Sequence, residues 1–124
     1  MEFNPEALAA ADRYKLMIGG IVPRPIAWVS TISPAGKTNL APFSFFCGVG
    51  SDPMTVLFCP ANKPDGSEKD SLLNARMNAE GGTGEFVVNV SVADLAEKVN
   101  LTSRELPPDL SEIELAGLKT TASM

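Results

Sequence analysis

Residues Val22–Phe46, VPRPIAWVSTISPAGKTNLAPFSFF, decide how this chain folds. Pro23 and Pro25 hold the approach extended and out of helix. From Ile26 to Ile32 the side chains alternate. Ile26, Trp28, Ser30 and Ile32 fall on one face of a strand, and Ala27, Val29 and Thr31 on the other. Ser33-Pro34-Ala35-Gly36 is a turn. Thr38-Asn39-Leu40-Ala41-Pro42 then leads back out as a second extended segment. Pro42 has no N–H to give to a central ladder, so pairing is expected to loosen there. Backbone N–H groups near Ala41 to Ser44 would then be free to face something other than a neighbouring strand.

Upstream, Asn4 reads as a helix N-cap, with Pro5 at the first helical position and Glu6 in the first turn. EALAAADRYKLM carries that helix to about Met17, packed by Leu8, Tyr14 and Met17, and Gly19-Gly20 ends it. Downstream, Cys47 to Ser51 continues the extended segment, with Gly48 and Gly50 where a bulge is needed. Asp52-Pro53 turns into a strand over Met54–Cys59 (MTVLFC), which with only Thr55 polar reads as buried on both faces. Pro60 to Gly66 is a loop. Ser67 or Asp70 caps a helix to about Asn78, with Leu72, Leu73 and Met77 at helical spacing. Ala79 to Gly84 is a flexible turn, and it leads into a strand (Phe86–Val90) rather than a helix, so it is no dinucleotide fingerprint. Ser91 and Asp94 form a capping box before the helix VADLAEKVN. Pro107-Pro108 marks a loop, and Ser111 to Leu118 is a helical turn or a short extended piece.

The order is helix, several strands, helix, strand, helix. The fold class is therefore mainly β with helices (α+β), with hairpin-like spacing that favours an antiparallel sheet or barrel. About four or five strands are too few to close a barrel, so either a part is missing or another chain supplies it.

Composition bounds the function. The chain has 124 residues and a net charge of −5, which argues against a nucleic-acid or anionic-membrane partner. No apolar run approaches a membrane span and no leader opens the chain, so the expected location is cytoplasmic. Cys47 and Cys59 read as two buried free thiols. There is no histidine, which excludes Ser-His-Asp and Cys-His arrangements and histidine-built zinc sites. An enzyme of this composition places its hard chemistry in a bound cofactor, and no catalytic side chain and no metal is expected.

Single residues are ambiguous. Lys69 and Ser71 in a first helical turn suit a phosphate, and equally suit an ordinary solvated turn. Arg24, between two prolines, could clamp an anion or form a structural ion pair. Ser30 and Thr31 are hydroxyls near a strand end. Asn39 and Asn74 could each fix a turn or a helix–loop contact. Trp28, Phe43, Phe45 and Phe46 read as core. Asn100-Leu101-Thr102 matches a glycosylation acceptor and is discounted for want of a secretory signal.

Taken in order, VPRPIAWVST, NLAPFSFF, DP before an apolar strand, KDS..N, GEFVVN and NLTS resemble the flavin reductase-like proteins, whose fold is an FMN-binding split β-barrel. The resemblance runs from about Tyr14 to Leu118, and RPIAWVST and NLAPFSFF are its most specific parts. It implies a homodimer that binds FMN near the subunit interface, with NADH or NADPH as co-substrate. It places Ser30, Thr31, Lys69, Asp70 and Ser71 at the FMN phosphate and ribityl chain, with Asn74 completing that motif. It lays Ala41, Pro42, Phe43 and Ser44 along the isoalloxazine ring, and Arg24 falls in the RP motif. Family domains continue past this C-terminus, so residues 1–124 are read as a single, C-terminally truncated domain with an incomplete barrel. Ala75 to Thr83 is also longer than the usual link. The expected function is an FMN-dependent NAD(P)H oxidoreductase; the alternative is a non-catalytic flavin-binding or dimerisation module.

Overall fold

A computed structural model describes residues 2–107 and 110–123. Its centre is strand β1 (Ala27–Ile32), flanked by β2 (Thr38–Phe43) and β5 (Val87–Asn89) in the order β2-β1-β5, all antiparallel. A second sheet is a two-stranded ribbon, β3 (Phe46–Ser51) with β4 (Met54–Phe58). The two sheets do not close into a barrel.

The period-two reading of β1 decides the layers. Ala27 and Val29 share one face with Phe43, and Ala41, Phe46, Phe58 and Val88 pack around them. Trp28 shares the other with Leu40 and Ile113, enclosed by Leu95, Val99 and Leu118. Both faces of β1 are covered, one by Phe46 and Phe58 of the ribbon and the other by Leu95, Val99, Ile113 and Leu118. Trp28 needs a partner for its indole N–H once buried, and Thr102 Oγ1 accepts it at 2.9 Å. The β1–β2 turn is closed by Ser33, whose amide donates to the Lys37 carbonyl (2.8 Å) and whose hydroxyl accepts from the Lys37 amide (3.1 Å). Gly36 takes the left-handed φ of +80° that this turn requires.

Several expectations need correcting. Pairing does not loosen at Pro42: the register runs Thr31↔Asn39, Trp28↔Pro42, Ala27↔Phe43. β2 is an edge strand, so a residue without N–H is harmless where its backbone faces outward. The Leu40 amide points outward to Glu112 (3.2 Å). By strand parity, Pro42 then faces outward too, and the Ala41 and Phe43 amides turn inward to β1. The free donors expected between Ala41 and Ser44 thus reduce to that of Ser44.

Strand β4 is not buried on both faces. Met54 is 88% exposed, with Val56 and Leu57 over two-fifths exposed. An isolated ribbon has only one packed side, which Phe46 and Phe58 fill. Cys47 and Cys59 are free, as expected, but exposed. The glycine-flanked bulge stands, with the register shifting between Gly48 and Gly50.

The helices are shorter than their periodicities suggest. Asn4 does cap, accepting from the Glu6 amide at 3.0 Å, but over a single 3-10 turn, Pro5–Ala7. Helix α1 then starts afresh and runs Ala10–Gly20 through both glycines. It buries none of its residues; Tyr14 and Met17 are each 49% exposed. Helix α2 is Asp70–Ala75, with Lys69 as N-cap and no side-chain cap from Ser67 or Asp70. Its buried residues are the polar Ser71 and Asn74, while Leu73 and Met77 face out. A 3-10 turn, Asn78–Glu80, follows. The link after it is folded rather than flexible. Thr83 and Gly84 donate their amides to the Asn74 and Arg76 carbonyls, at 2.8 and 2.6 Å. Ser91 caps nothing: a 3-10 turn, Ala93–Leu95, leads into α3 (Ala96–Leu101) from Val92. Helix α4 (Glu112–Leu115) realises the helical option for the C-terminal segment. Pro108 of the expected loop lies outside the described residues. Among the described residues no helix is long and apolar enough to cross a membrane, and no group of three or more acidic, cysteine or histidine side chains could hold a metal.

Candidate functional site

A cleft of about 300 Å³ opens along the outer edge of β2. Its long wall is Ala41, Pro42, Phe43 and Ser44, and its end is the first turn of α2, with Lys69, Asp70 and Ser71. These are predicted site residues, brought together from sequence positions nearly thirty apart by α2 packing on β1 and β2. Phe45 and Tyr14 add an aromatic corner, their ring centroids 6.0 Å apart and edge to face. Residues Thr102–Leu106 and Glu112 form the opposite wall.

Two ammonium groups reach this cleft. Lys63 Nζ lies 3.5 Å from Asp70 Oδ2, and Lys69 Nζ lies 3.7 Å from Glu105 Oε1. Both separations are long for ion pairs and both pairs are partly exposed, so neither lysine is firmly held. Lys63 owes its place to a tight turn. Its amide donates to the Ser67 carbonyl, Gly66 adopts φ +86°, and the Ser67 amide and hydroxyl both donate to Asp65 Oδ1 (2.9 and 2.6 Å). Those two donors from Ser67 hold the Asp65 carboxyl below the ordinary aspartate range.

Beneath the α2 end lies a closed polar network. Asn39 Nδ2 donates to Ser71 Oγ (2.8 Å) and to Thr31 Oγ1 (3.3 Å), and Asn74 Nδ2 donates to Thr31 Oγ1 (3.1 Å). Thr31, Ser71 and Asn74 are all buried. Their groups bond to one another first, and they set where Lys69 and Asp70 sit. Ser30 points to the opposite face of β1, where Asn89 donates to it at 3.1 Å. Arg24 stands apart from the cleft: its guanidinium donates to the Ile18 and Ile21 carbonyls and closes the C-terminus of α1. Among the described residues Arg24 makes no ion pair.

Tyr14, Lys63 and Glu112 were not among the predicted site residues. Lys63 has a local signal in the turn sequence KPDGS. Glu112 has none, because its partner, the Leu40 amide, is 72 residues away.

Residues 19–123 match the family model of the flavin reductase like domain. An uncharacterized protein of Halalkalibacterium halodurans is 42% identical over 123 residues, covering 99% of this chain and 56% of that protein. The crystal structure of nitrilotriacetate monooxygenase component B from Bacillus cereus superposes with a TM-score of 0.88 at 38% identity, over the whole of this chain and 58% of that one. A Shewanella frigidimarina protein described as a flavin reductase with split barrel domain gives 0.72 at 22% identity, over 100% of this chain and 59% of that one, a likeness of fold alone. The chain spans little more than half the length of these relatives, and its open pair of antiparallel sheets is of the split-barrel kind.

Proposed function

Because the chain belongs to the flavin reductase-like family, we propose that the β2-edge cleft binds FMN and that the protein is an FMN-dependent oxidoreductase acting in the cytoplasm. The observation that carries this is the cleft's two-ended chemistry. One end presents apolar surface from Pro42, Phe45 and Tyr14, and the other presents two loosely paired lysines. A planar ring joined to a phosphate by a polar chain matches that donor set. Lys69 and Lys63 would hold the phosphate, displacing their weak carboxylate contacts. Asp70 and the Asn39–Ser71 pair would meet the polyol, and Pro42 to Ser44 would meet the ring. Bound FMN would supply two-electron chemistry between NADH or NADPH and an acceptor. The chain's own part is to orient and to exclude water. Stacking and positioning require no acid–base side chain, in keeping with a chain that has no histidine.

The uncovered β3–β4 ribbon supports a second component of the reading, a homodimer, and it favours one alternative: a flavin-binding or dimerisation module without turnover. The deciding experiment is the visible spectrum of the purified protein before and after FMN addition and desalting, followed by anaerobic NADH or NADPH. Flavin bands that stay with the protein and then bleach are the expected result. Bands that persist unbleached would favour the alternative, and a colourless protein would refute the cleft assignment.

A further inference from the structure

Glu112 is fixed between two anchors. Before it, Ser111 Oγ lies 3.2 Å from Thr38 Oγ1 at the start of β2; after it, Ile113 is buried with Trp28 and Leu40. Glu112 itself is 8% exposed. One carboxyl oxygen, Oε2, accepts from the Leu40 amide at 3.2 Å. The other, Oε1, has no hydrogen-bond partner among the described residues, and no described cation pairs with this side chain. Oε1 is not sealed off either: among the described residues, the shielded side-chain atoms without a partner are Arg24 Nε and Ser91 Oγ. Glu112 borders the cleft and a smaller cavity of about 260 Å³ that shares Asn39, Asp70 and Leu106 with it. A carboxylate can accept at about four sites, so this one is short of donors on the side that faces open space.

The carboxyl also sits midway along the cleft. The Leu40 amide that holds it follows Asn39, which is tied to Ser71 at the lysine end, and lies two residues before Pro42 at the apolar end. We propose that Glu112 selects the chain that joins the two ends of the ligand, with Oε1 accepting from a hydroxyl of an uncharged polyol. The inference rests on the FMN reading for the ring and the phosphate that this chain connects. A phosphate at this point would face a carboxyl group with no cation between them. A plain alkyl chain would displace water from the carboxyl and give no donor in return. A hydroxylated chain carries no charge and donates to the free oxygen in a charge-assisted hydrogen bond.

The test is a cycle of two proteins and two ligands: the parent and Glu112→Gln, each titrated by fluorescence quenching with riboflavin and with the same ring carrying a plain pentyl chain. FMN is titrated alongside. Glutamine keeps an acceptor for the Leu40 amide and gives up the charge. Riboflavin and FMN are each expected to bind about fivefold to tenfold more weakly to the variant, the difference between a charged and a neutral hydrogen bond, while the pentyl flavin changes by less than about twofold. Equal weakening of riboflavin and the pentyl flavin would overturn the proposal, because Glu112 would then only seal the edge of β2 and anchor α4. No change in either would overturn it as well. Circular dichroism checks that the variant folds. If it does not, the carbon-13 resonance of the Glu112 carboxyl in the parent decides: riboflavin should move it and the pentyl flavin should move it less, and equal shifts would sink the idea. A parent protein that binds no flavin refutes the FMN reading and this inference with it. Flavins that bind with no difference between the two chains overturn this inference alone.

Discussion

Lys69 is placed by its neighbours, not by a cap of its own: Ser71 is tied to Asn39, and the lysine ammonium is left with one distant carboxylate. Lys69→Ala is therefore expected to weaken FMN binding by about 1–3 kcal/mol, the scale of a charged hydrogen bond, with little change in stability. Titration by flavin fluorescence quenching measures it; an unchanged dissociation constant would remove Lys69 from the site. Thr102 makes the opposite case. It is 1% exposed, accepts from the buried Trp28 indole and donates onward to the Val99 carbonyl at 2.9 Å. Thr102→Val should cost about 1–3 kcal/mol of stability, because the indole N–H is left buried and unmet; urea denaturation reads this. At this scale the sequence was legible where a short motif fixes which residues line the same cleft. Pro42, Phe43, Ser44, Lys69 and Asp70 converge as RPIAWVST, NLAPFSFF and KDS..N imply. It was not legible where a residue's partner lies far along the chain. Glu112 is the example, since its partner, the Leu40 amide, lies 72 residues away.

Among the elements, the link between α2 and β5 is the most constrained. A Cβ on Gly82 would lie 2.2 Å from the Arg76 carbonyl oxygen and 2.7 Å from that of Leu73, whereas one on Gly48 in the ribbon would meet nothing within 4 Å. Gly82→Ala should thus destabilise by about 1–3 kcal/mol, as overpacking does, and Gly48→Ala should stay within about 0.5 kcal/mol; thermal melts compare them. The Lys63–Ser67 turn carries a pH signature. Asp65 has a depressed folded pKa, so the stabilisation from its Ser67 donors is present above the unfolded aspartate pKa and is lost as pH falls through the folded one. The Ser67 amide resonance should move with a midpoint below the ordinary aspartate value of about 3.9; a midpoint at or above that value would contradict the hydrogen bonding. Strand periodicity read β1 and its turn correctly because alternation is a local property. Helix lengths were overread, since caps and apolar spacing fit a longer helix whenever nothing tertiary interrupts it. Ser71 and Asn74 are buried for a polar network, and the apolar pattern Leu72-Leu73-Met77 concealed that.

For the molecule as a whole, apolar residues are exposed on several elements, and α1 and the β3–β4 ribbon carry four of them: Met17, Val49, Met54 and Leu57 are each at least 46% exposed. Such a surface favours association. Sedimentation at increasing concentration should show a dimer, and Leu57→Asp should shift it toward monomer; concentration-independent monomer mass in the parent protein would rule this out. The mixed α+β class and the open antiparallel arrangement were readable from the number and spacing of strands, but the exposure of β4 was not, because composition cannot say which face will find a neighbour. The bonds that seal the second core layer share one trait. Trp28 to Thr102, Thr38 to Ser111 and Leu40 to Glu112 each span more than seventy residues. During synthesis, then, the hairpin β1–β2 can form early, but its Trp28 face has no cover until α3 and α4 leave the ribosome. At about 5–20 residues per second, the nascent chain carries an uncovered Trp28 ring and an open strand edge for several seconds, an interval in which chaperone capture competes with folding.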